Sequence, residues 1–366
     1  MSLQIAPADR RSARERRGQL ALHGLVKRYP GFVAVDGIDL EIGAGQFLTL
    51  LGASGSGKTT TLMMIAGFTP PTAGNILLEG RSISALAPER RNIGVVFQNY
   101  ALFPHMTVEQ NVAFPLRMRN QTRREIGEKV TQALRMVQLE ELADRWPKQL
   151  SGGQQQRVAF ARALVFDPDL LLMDEPLGAL DKNLREHMQF ELKRMHTELG
   201  VTILYVTHDQ QEALTMSDRI AIMNRGKIVQ VGTASGLYEE PESRFVAEFI
   251  GESNVIAGAV ADDTTFVATA GARFPILKGN SQADSKMVMV RPESFSFVPL
   301  STEPRAIPGK VVGLVYVGEF TRYLVEVEGG LRLTVKTQNR RITDGVREGE
   351  RVALHLDPPE ARLLKN

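Results

Sequence analysis

Residues 52–59 read Gly52-Ala53-Ser54-Gly55-Ser56-Gly57-Lys58-Thr59: a glycine, four free positions, a glycine, a lysine and a hydroxyl residue. They follow a continuous apolar run, Phe47–Leu51, and lead into a stretch of helical texture at 59–66. A strand that ends in such a loop and restarts as a helix restricts the fold more than any other feature of the chain. The glycines let the backbone wrap a phosphate group, with N–H groups turned inward at a helix N-terminus. Lys58 then reaches the β- and γ-phosphates of a nucleotide, and the Thr59 hydroxyl suits Mg²⁺. A strand as apolar as 47–51 is expected in a parallel sheet covered on both faces.

A second apolar run, 170–173, ends in Asp174-Glu175. Placed at the carboxyl edge of the sheet, Asp174 would hold the metal through water, and Glu175 would polarise the attacking water beside a γ-phosphate. Leu150-Ser151-Gly152-Gly153-Gln154-Gln155-Gln156-Arg157 opens a helix with small residues and makes a second anion-binding end. Two phosphate grips in one chain make sense if each nucleotide is sandwiched between two chains.

Further strands are expected at 20–25, 34–42, 93–97 and 201–206, and helices across 108–164 and at 184–199. Apolar residues spaced three or four apart, such as Ile126, Val130, Leu134 and Val137, carry the middle of this pattern. The alternation implies an α/β domain with a mostly parallel sheet and a helical insertion near 99–160. Beyond about residue 250 the texture becomes short alternating strands: 287–290, 311–316, 323–327 and 331–335. Glu328-Gly329-Gly330-Leu331 reads as a two-residue hairpin turn, and 254–364 as a separate small β-barrel.

These motifs resemble the nucleotide-binding subunit of an ABC transporter over residues 20–250, and 254–364 resembles the TOBE barrel of import ATPases of the maltose and polyamine kind. The resemblance implies a P-loop ABC domain at 20–240 with a helical subdomain at about 99–160, a linker at 241–253 and an OB-like TOBE barrel at 254–366. It implies that Tyr29 stacks on adenine, and that Val35, Gly52, Ser54, Gly55, Ser56, Gly57, Lys58, Thr59 and Thr60 hold the nucleotide. Gln98 would contact Mg²⁺ and sense a membrane subunit. Asp181, in Gly178-Ala179-Leu180-Asp181, would cross to the other chain, although the family commonly has Ser where Gly178 stands. His208 would act as a switch on the γ-phosphate, with Glu175, Lys58 and Gln98 completing the catalytic set. Ser151, Gly153 and Gln154, with Arg145, would reach the nucleotide of the other chain. The metal would rest on Thr59, Gln98 and, through water, Asp174.

The expected activity is therefore ATP hydrolysis with Mg²⁺ by a homodimer beneath two integral-membrane permeases, served by an extracytoplasmic solute-binding protein. Val290-Arg291-Pro292-Glu293 and Tyr316-Val317-Gly318 are the landmarks of the TOBE resemblance, and the run from Tyr323 with the trailing Gln338-Asn339 leans toward polyamine cargo, with sugar or ferric iron as the alternative. The loop 98–107 would seat a permease helix through Tyr100, Leu102, Phe103 and Met106, read as exposed. A soluble ABC ATPase acting in DNA repair or on ribosomes is the competing class, but those usually carry coiled-coil insertions or tandem cassettes, absent here. A non-catalytic ATP sensor would not need Lys58, Asp174, Glu175 and His208 together.

No apolar run approaches the roughly 18 residues of a spanning helix. The chain has no cysteine, hence no thiolate chemistry. With no secretory-type apolar leader, a peripheral place on the cytoplasmic face of the inner membrane is expected. Five arginines stand among residues 1–17 against Asp9 and Glu15. Such a tail (1–19) can touch lipid or nucleic acid, but a solvated extension is the plainer reading, and no nucleic-acid partner is expected.

Overall fold

Five parallel strands carry the first of two compact units, Met1–Ala234 and Ser235–Asn366, into which the chain divides. The computed structural model describes residues 17–178, 180–276, 285–299, 306–339, 346–357 and 360–364; residues 1–16 of the basic tail and Ala179 lie outside them.

In chain order the first unit has β1 (Leu20–Tyr29), β2 (Phe32–Ile42), β3 (Phe47–Leu51), α1 (Lys58–Ala66), β4 (Ala73–Leu78), β5 (Arg81–Ser82) and β6 (Ile93–Val96). Three helices follow, α2 (Val108–Met118), α3 (Arg123–Met136) and α4 (Gly152–Leu164). The unit closes with β7 (Leu170–Asp174), α5 (Lys182–Leu199), β8 (Thr202–Thr207), α6 (Gln210–Met216), β9 (Arg219–Asn224) and β10 (Lys227–Gly232). The main sheet has the order β10-β9-β3-β8-β7-β6; β10 alone runs antiparallel to its neighbour. β2-β1-β4-β5 form a separate antiparallel sheet.

The apolar strands hide a period of two. Leu48, Leu50, Leu170, Leu172, Leu204 and Val206 face a core shared with α1 and the antiparallel sheet. Phe47, Leu171, Met173, Ile203 and Tyr205 face the other core, closed by α2, α3, α4 and α5. Each fully buried side chain of this kind contributes about 1.5–3 kcal/mol, so both faces must be apolar and no polar alternation remains to be read. The three inserted helices start at capping boxes, Thr107 with Gln110, Thr122 with Glu125 and Ser151 with Gln154. In each, the hydroxyl accepts one of the N–H groups the first turn leaves unpaired.

The second unit begins near α7 (Ala234–Glu239) and α8 (Arg244–Phe249), so the segment read as a linker carries a helix. Its strands are β11 (Asn254–Asp262), β12 (Thr265–Ala268), β13 (Arg273–Pro275), β14 (Met287–Val290), β15 (Phe295–Val298), β16 (Ile307–Tyr316), β17 (Phe320–Val327), β18 (Arg332–Gln338), β19 (Arg351–Leu356) and β20 (Ala361–Leu363). They form two antiparallel sheets, β13-β12-β11-β14-β20 and β15-β19-β16-β17-β18, around one core that includes Phe266, Phe274, Val325 and Leu354. The turn between β17 and β18 has three residues, not two: Val327 N–H donates to the Leu331 carbonyl at 2.8 Å. Gly329 and Gly330, at φ 71° and 76°, make a bend that a side chain would oppose.

Candidate functional site

Four parallel strands deliver their carboxyl ends to one edge of the sheet. β3 runs into the glycine loop, β7 ends on Asp174 beside Glu175, β8 precedes His208, and β6 leads through Phe97 to Gln98. Open α/β sheets place ligands at this edge, because there the helix N-termini and strand-end side chains converge.

The loop 52–57 admits little but glycine at its ends. A Cβ on Gly52 would lie 2.4 Å from the Met223 carbonyl oxygen, and one on Gly57, where φ is 103°, 2.5 Å from that of Ala34. Lys58 Nζ donates to the carbonyls of Gly52 and Ala53 at 2.8 and 3.0 Å. The Thr59 hydroxyl donates to Asp174 Oδ1 at 3.0 Å, and His208 Nδ1 stands 3.1 Å from Glu175 Oε1. Glu175 itself has a left-handed backbone, φ 45°, held by its N–H to the Val206 carbonyl at 2.9 Å; strain of this kind persists only where the surroundings enforce it. A cavity of about 290 Å³ opens here, lined by Phe32, Val33, Ser54, Lys58, Thr59 and Glu175 among others.

Burial sets the electrostatics. It lowers the Lys58 pKa against the pull of Glu175 and Asp174. It raises the Asp174 pKa, with the Thr59 hydrogen bond and Lys58 opposing and Glu175 adding to the rise. Both groups are thus short of counter-charge, which a phosphate and a cation supply together. Among the described residues no three His, Cys, Asp or Glu form a metal cage. One hydroxyl and one carboxylate at 3.0 Å fit Mg²⁺, which takes one or two protein ligands and the rest from phosphates and water.

The remaining predicted residues fall in three places. Ser54, Gly55, Gly57, Lys58, Thr59 and Thr60 line the cavity, and Ser56 is buried beneath it with a hydroxyl that has no hydrogen-bond partner. Tyr29 stacks on Phe32, ring centroids 5.3 Å apart. Phe32 is the aromatic the sequence reading missed: it is 60% exposed and lines the cavity. Its signal was present, an aromatic on each side of Pro30-Gly31. Val35 is corrected: it is fully buried, its methyl 3.4 Å from where a Gly57 Cβ would be, and Val33 and Ala34 line the cavity instead. Gln98 lies near Gly178, where an added Cβ would sit 3.8 Å from Gln98 Nε2.

Ser151, Gly153 and Gln154 sit at the N-terminus of α4 and line none of this cavity. Neither does Asp181, the exposed N-cap of α5, nor Arg145, which is exposed while its carbonyl receives the Val108 N–H. The loop 98–107 is less open than expected. Tyr100 is 7% exposed and Leu102 packs against the helical core, while Phe103 and Met106 are half-buried. Asn111 holds the second half of the loop, accepting the Phe103 N–H at 2.8 Å and donating to the carbonyls of Phe103, Met106 and Thr107, and Arg162 holds the first, donating to the carbonyls of Tyr100 and Ala101.

Residues 35–178 match the family model described as ABC transporter, and residues 288–364 the TOBE domain. The chain is 48% identical to a spermidine/putrescine import ATP-binding protein of Nitrosomonas europaea, over 87% of this chain and 91% of that one. With the protein of the same description from Rubrobacter xylanophilus it shares 44% over 100% and 99%. Among solved structures, a dimeric post-hydrolysis state of the ATP-binding cassette MJ0796 bound to ADP and Pi is 34% identical with TM-score 0.53, covering 59% of this chain and 98% of that one. CbiO1 from Clostridium perfringens, part of an ABC transporter complex, is 32% identical with TM-score 0.57, over 60% and 90%.

Proposed function

The chain belongs to the ATP-binding subunits of ABC transporters and hydrolyses ATP for solute import, and on that premise we propose that two copies enclose two nucleotides to drive uptake of a polyamine. The observation that carries the two-copy reading is the division of the nucleotide grips. Lys58, Thr59 and Glu175 line a cavity that Ser151, Gly153 and Gln154 do not reach, so a second copy has to present its α4 N-terminus to close it.

In this reading Tyr29 and Phe32 offer the adenine a flat face. N–H groups of residues 53–59 and Lys58 carry the phosphates; Thr59, Gln98 and Asp174, the last through water, would hold Mg²⁺, which would supply charge neutralisation there. Glu175 polarises the attacking water, and His208, fixed at 3.1 Å from it, reads the γ-phosphate. Losing that phosphate removes the contacts that hold the two copies together, so the dimer reopens. Asp181 and Arg145 belong to the joint between copies. The permeases dock near Gln98 and the half-buried Phe103 and Met106, and they take cargo from an extracytoplasmic binding protein. The subunit is peripheral, on the cytoplasmic face; among the described residues no helix is long and apolar enough to cross a membrane.

Polyamine cargo is supported by relatives 44–48% identical whose names specify spermidine and putrescine. The test is ATPase activity of the chain assembled into a complex with its permeases and binding protein. Spermidine or putrescine should stimulate turnover, and maltose or ferric iron should not. Stimulation by sugar or iron alone would sink the cargo assignment; failure to co-purify with any permease would favour a soluble ATPase.

A further inference from the structure

Behind His208 lies a polar network that the reaction as described does not use. Tyr205 and Thr207 both donate their hydroxyls to Glu212 Oε2, at 2.7 and 2.8 Å; Glu212 is only 2% exposed. The Thr207 hydroxyl also accepts the Asp209 N–H at 3.0 Å. Asp209 Oδ1 caps α6 by accepting from Gln211 and Glu212. The backbone on both sides of His208 is therefore pinned. Asp209 Oδ2 takes Arg185 Nη1 at 3.1 Å, and Arg185 Nη2 donates to the Leu180 carbonyl at 3.0 Å. The remaining nitrogen, Nε, is buried without a hydrogen-bond partner, 3.9 Å from Glu212 Oε1.

We propose that Arg185 is a positioning residue that makes the placement of His208 depend on the Leu180–Asp181 turn. The proposal rests on the ATPase reading above. In that reading Asp181, next to the buried Leu180, belongs to the joint between copies, and Arg185 is bonded to Asp209, the residue after the switch. A guanidinium is a rigid plane with its donors in fixed directions, so a displacement at one end of the fork is passed to the other. The unpartnered Nε facing a carboxylate oxygen at 3.9 Å leaves room for the fork to shift when a second copy presses on the turn. The merely structural alternative is that Arg185 offsets the charge of buried Glu212. A lysine would do that equally well, but it has no fork to span Leu180 and Asp209.

Arg185→Lys in the full chain separates the two. We expect kcat to fall by about 10- to 100-fold, as for a small misplacement of a reacting group, with KM for ATP unchanged within about twofold. ATP-dependent dimerisation in a Glu175→Gln background should persist. Asp209→Asn, which retains an α6 cap, should lose activity similarly, and the double variant should be no worse than either single one; this second arm decides the matter if Arg185→Lys does not fold. Wild-type kcat in Arg185→Lys, additive losses, or a raised KM with loss of the dimer would each overturn the proposal. A wild-type chain without ATPase activity would instead remove the reading on which it rests.

Discussion

Glu175 combines a carboxylate at a strand end, a left-handed backbone and a histidine at 3.1 Å. Glu175→Gln keeps the size and backbone but removes the base. Steady-state ATPase should fall by about 10²–10⁴-fold, and size-exclusion chromatography with ATP should show a nucleotide-bound dimer. Near wild-type turnover would take Glu175 out of the role. The loop is tested at the same scale by Gly57→Ala. Its Cβ would meet the Ala34 carbonyl at 2.5 Å, in a φ range that disfavours side chains. Binding of a fluorescent ATP analogue should be lost while far-UV circular dichroism is retained; unchanged affinity would mean that the loop tolerates the distortion. What the sequence made legible at this scale was the run of letters with fixed spacing: Lys58, Thr59, Asp174 and Glu175. Arg185 and Asn111 stayed hidden because they hold backbone carbonyls, and any residue can supply a carbonyl.

Helix α4 joins two tasks along its length. At its N-terminus Ser151 caps it. Near its other end Arg162 donates to the carbonyls of Tyr100 and Ala101 at 2.7 and 2.8 Å, two residues with left-handed φ of 59° and 46°. The helix thus grips the loop that follows Gln98. Ser151→Arg tests the first task. The lost cap costs about 1 kcal/mol, too little to unfold the domain, yet the bulky cation should abolish turnover by blocking the second copy. ATP affinity of the isolated monomer should stay within about twofold, and a loss of monomer affinity would argue against a shared site. Elements were read well where an apolar run marks them, as at β3 and β7. They were read poorly where tertiary contacts decide. Tyr100 looked exposed in a loop, but Arg162 bonds to residues 100–101 and Asn111 bonds to residues 103–107 draw that loop onto the helical core.

The two units have separate cores, and ligand binding should distinguish them. With Glu175→Gln to suppress hydrolysis, ATP at 100 times its Kd should stabilise the first unit by about 2.7 kcal/mol. Differential scanning calorimetry should then show one transition moving upward and the TOBE transition staying still. Equal shifts in both would mean that the units unfold as one. In the second unit Arg291 is 5% exposed and bonds the carbonyls of Tyr238, Ala247, Ile250 and Glu252, with its guanidinium 3.9 Å above the Tyr238 ring. Arg291→Ala, which leaves those carbonyls unmet, should cost about 1–3 kcal/mol for each that stays unsatisfied and lower only the TOBE transition.

The order β9-β3-β8 at the centre of the main sheet also bears on synthesis. β3 pairs with neither β2 nor β4 but with β8 and β9, and Phe47 N–H donates to Asp218, 171 residues downstream. Translation at about 5–20 residues per second therefore leaves that apolar strand waiting on the order of ten seconds for its neighbours. A ribosome stalled before β9 would display a phosphate loop whose supporting strand has no sheet to join, and such nascent chains should need a chaperone more than they can hold a nucleotide.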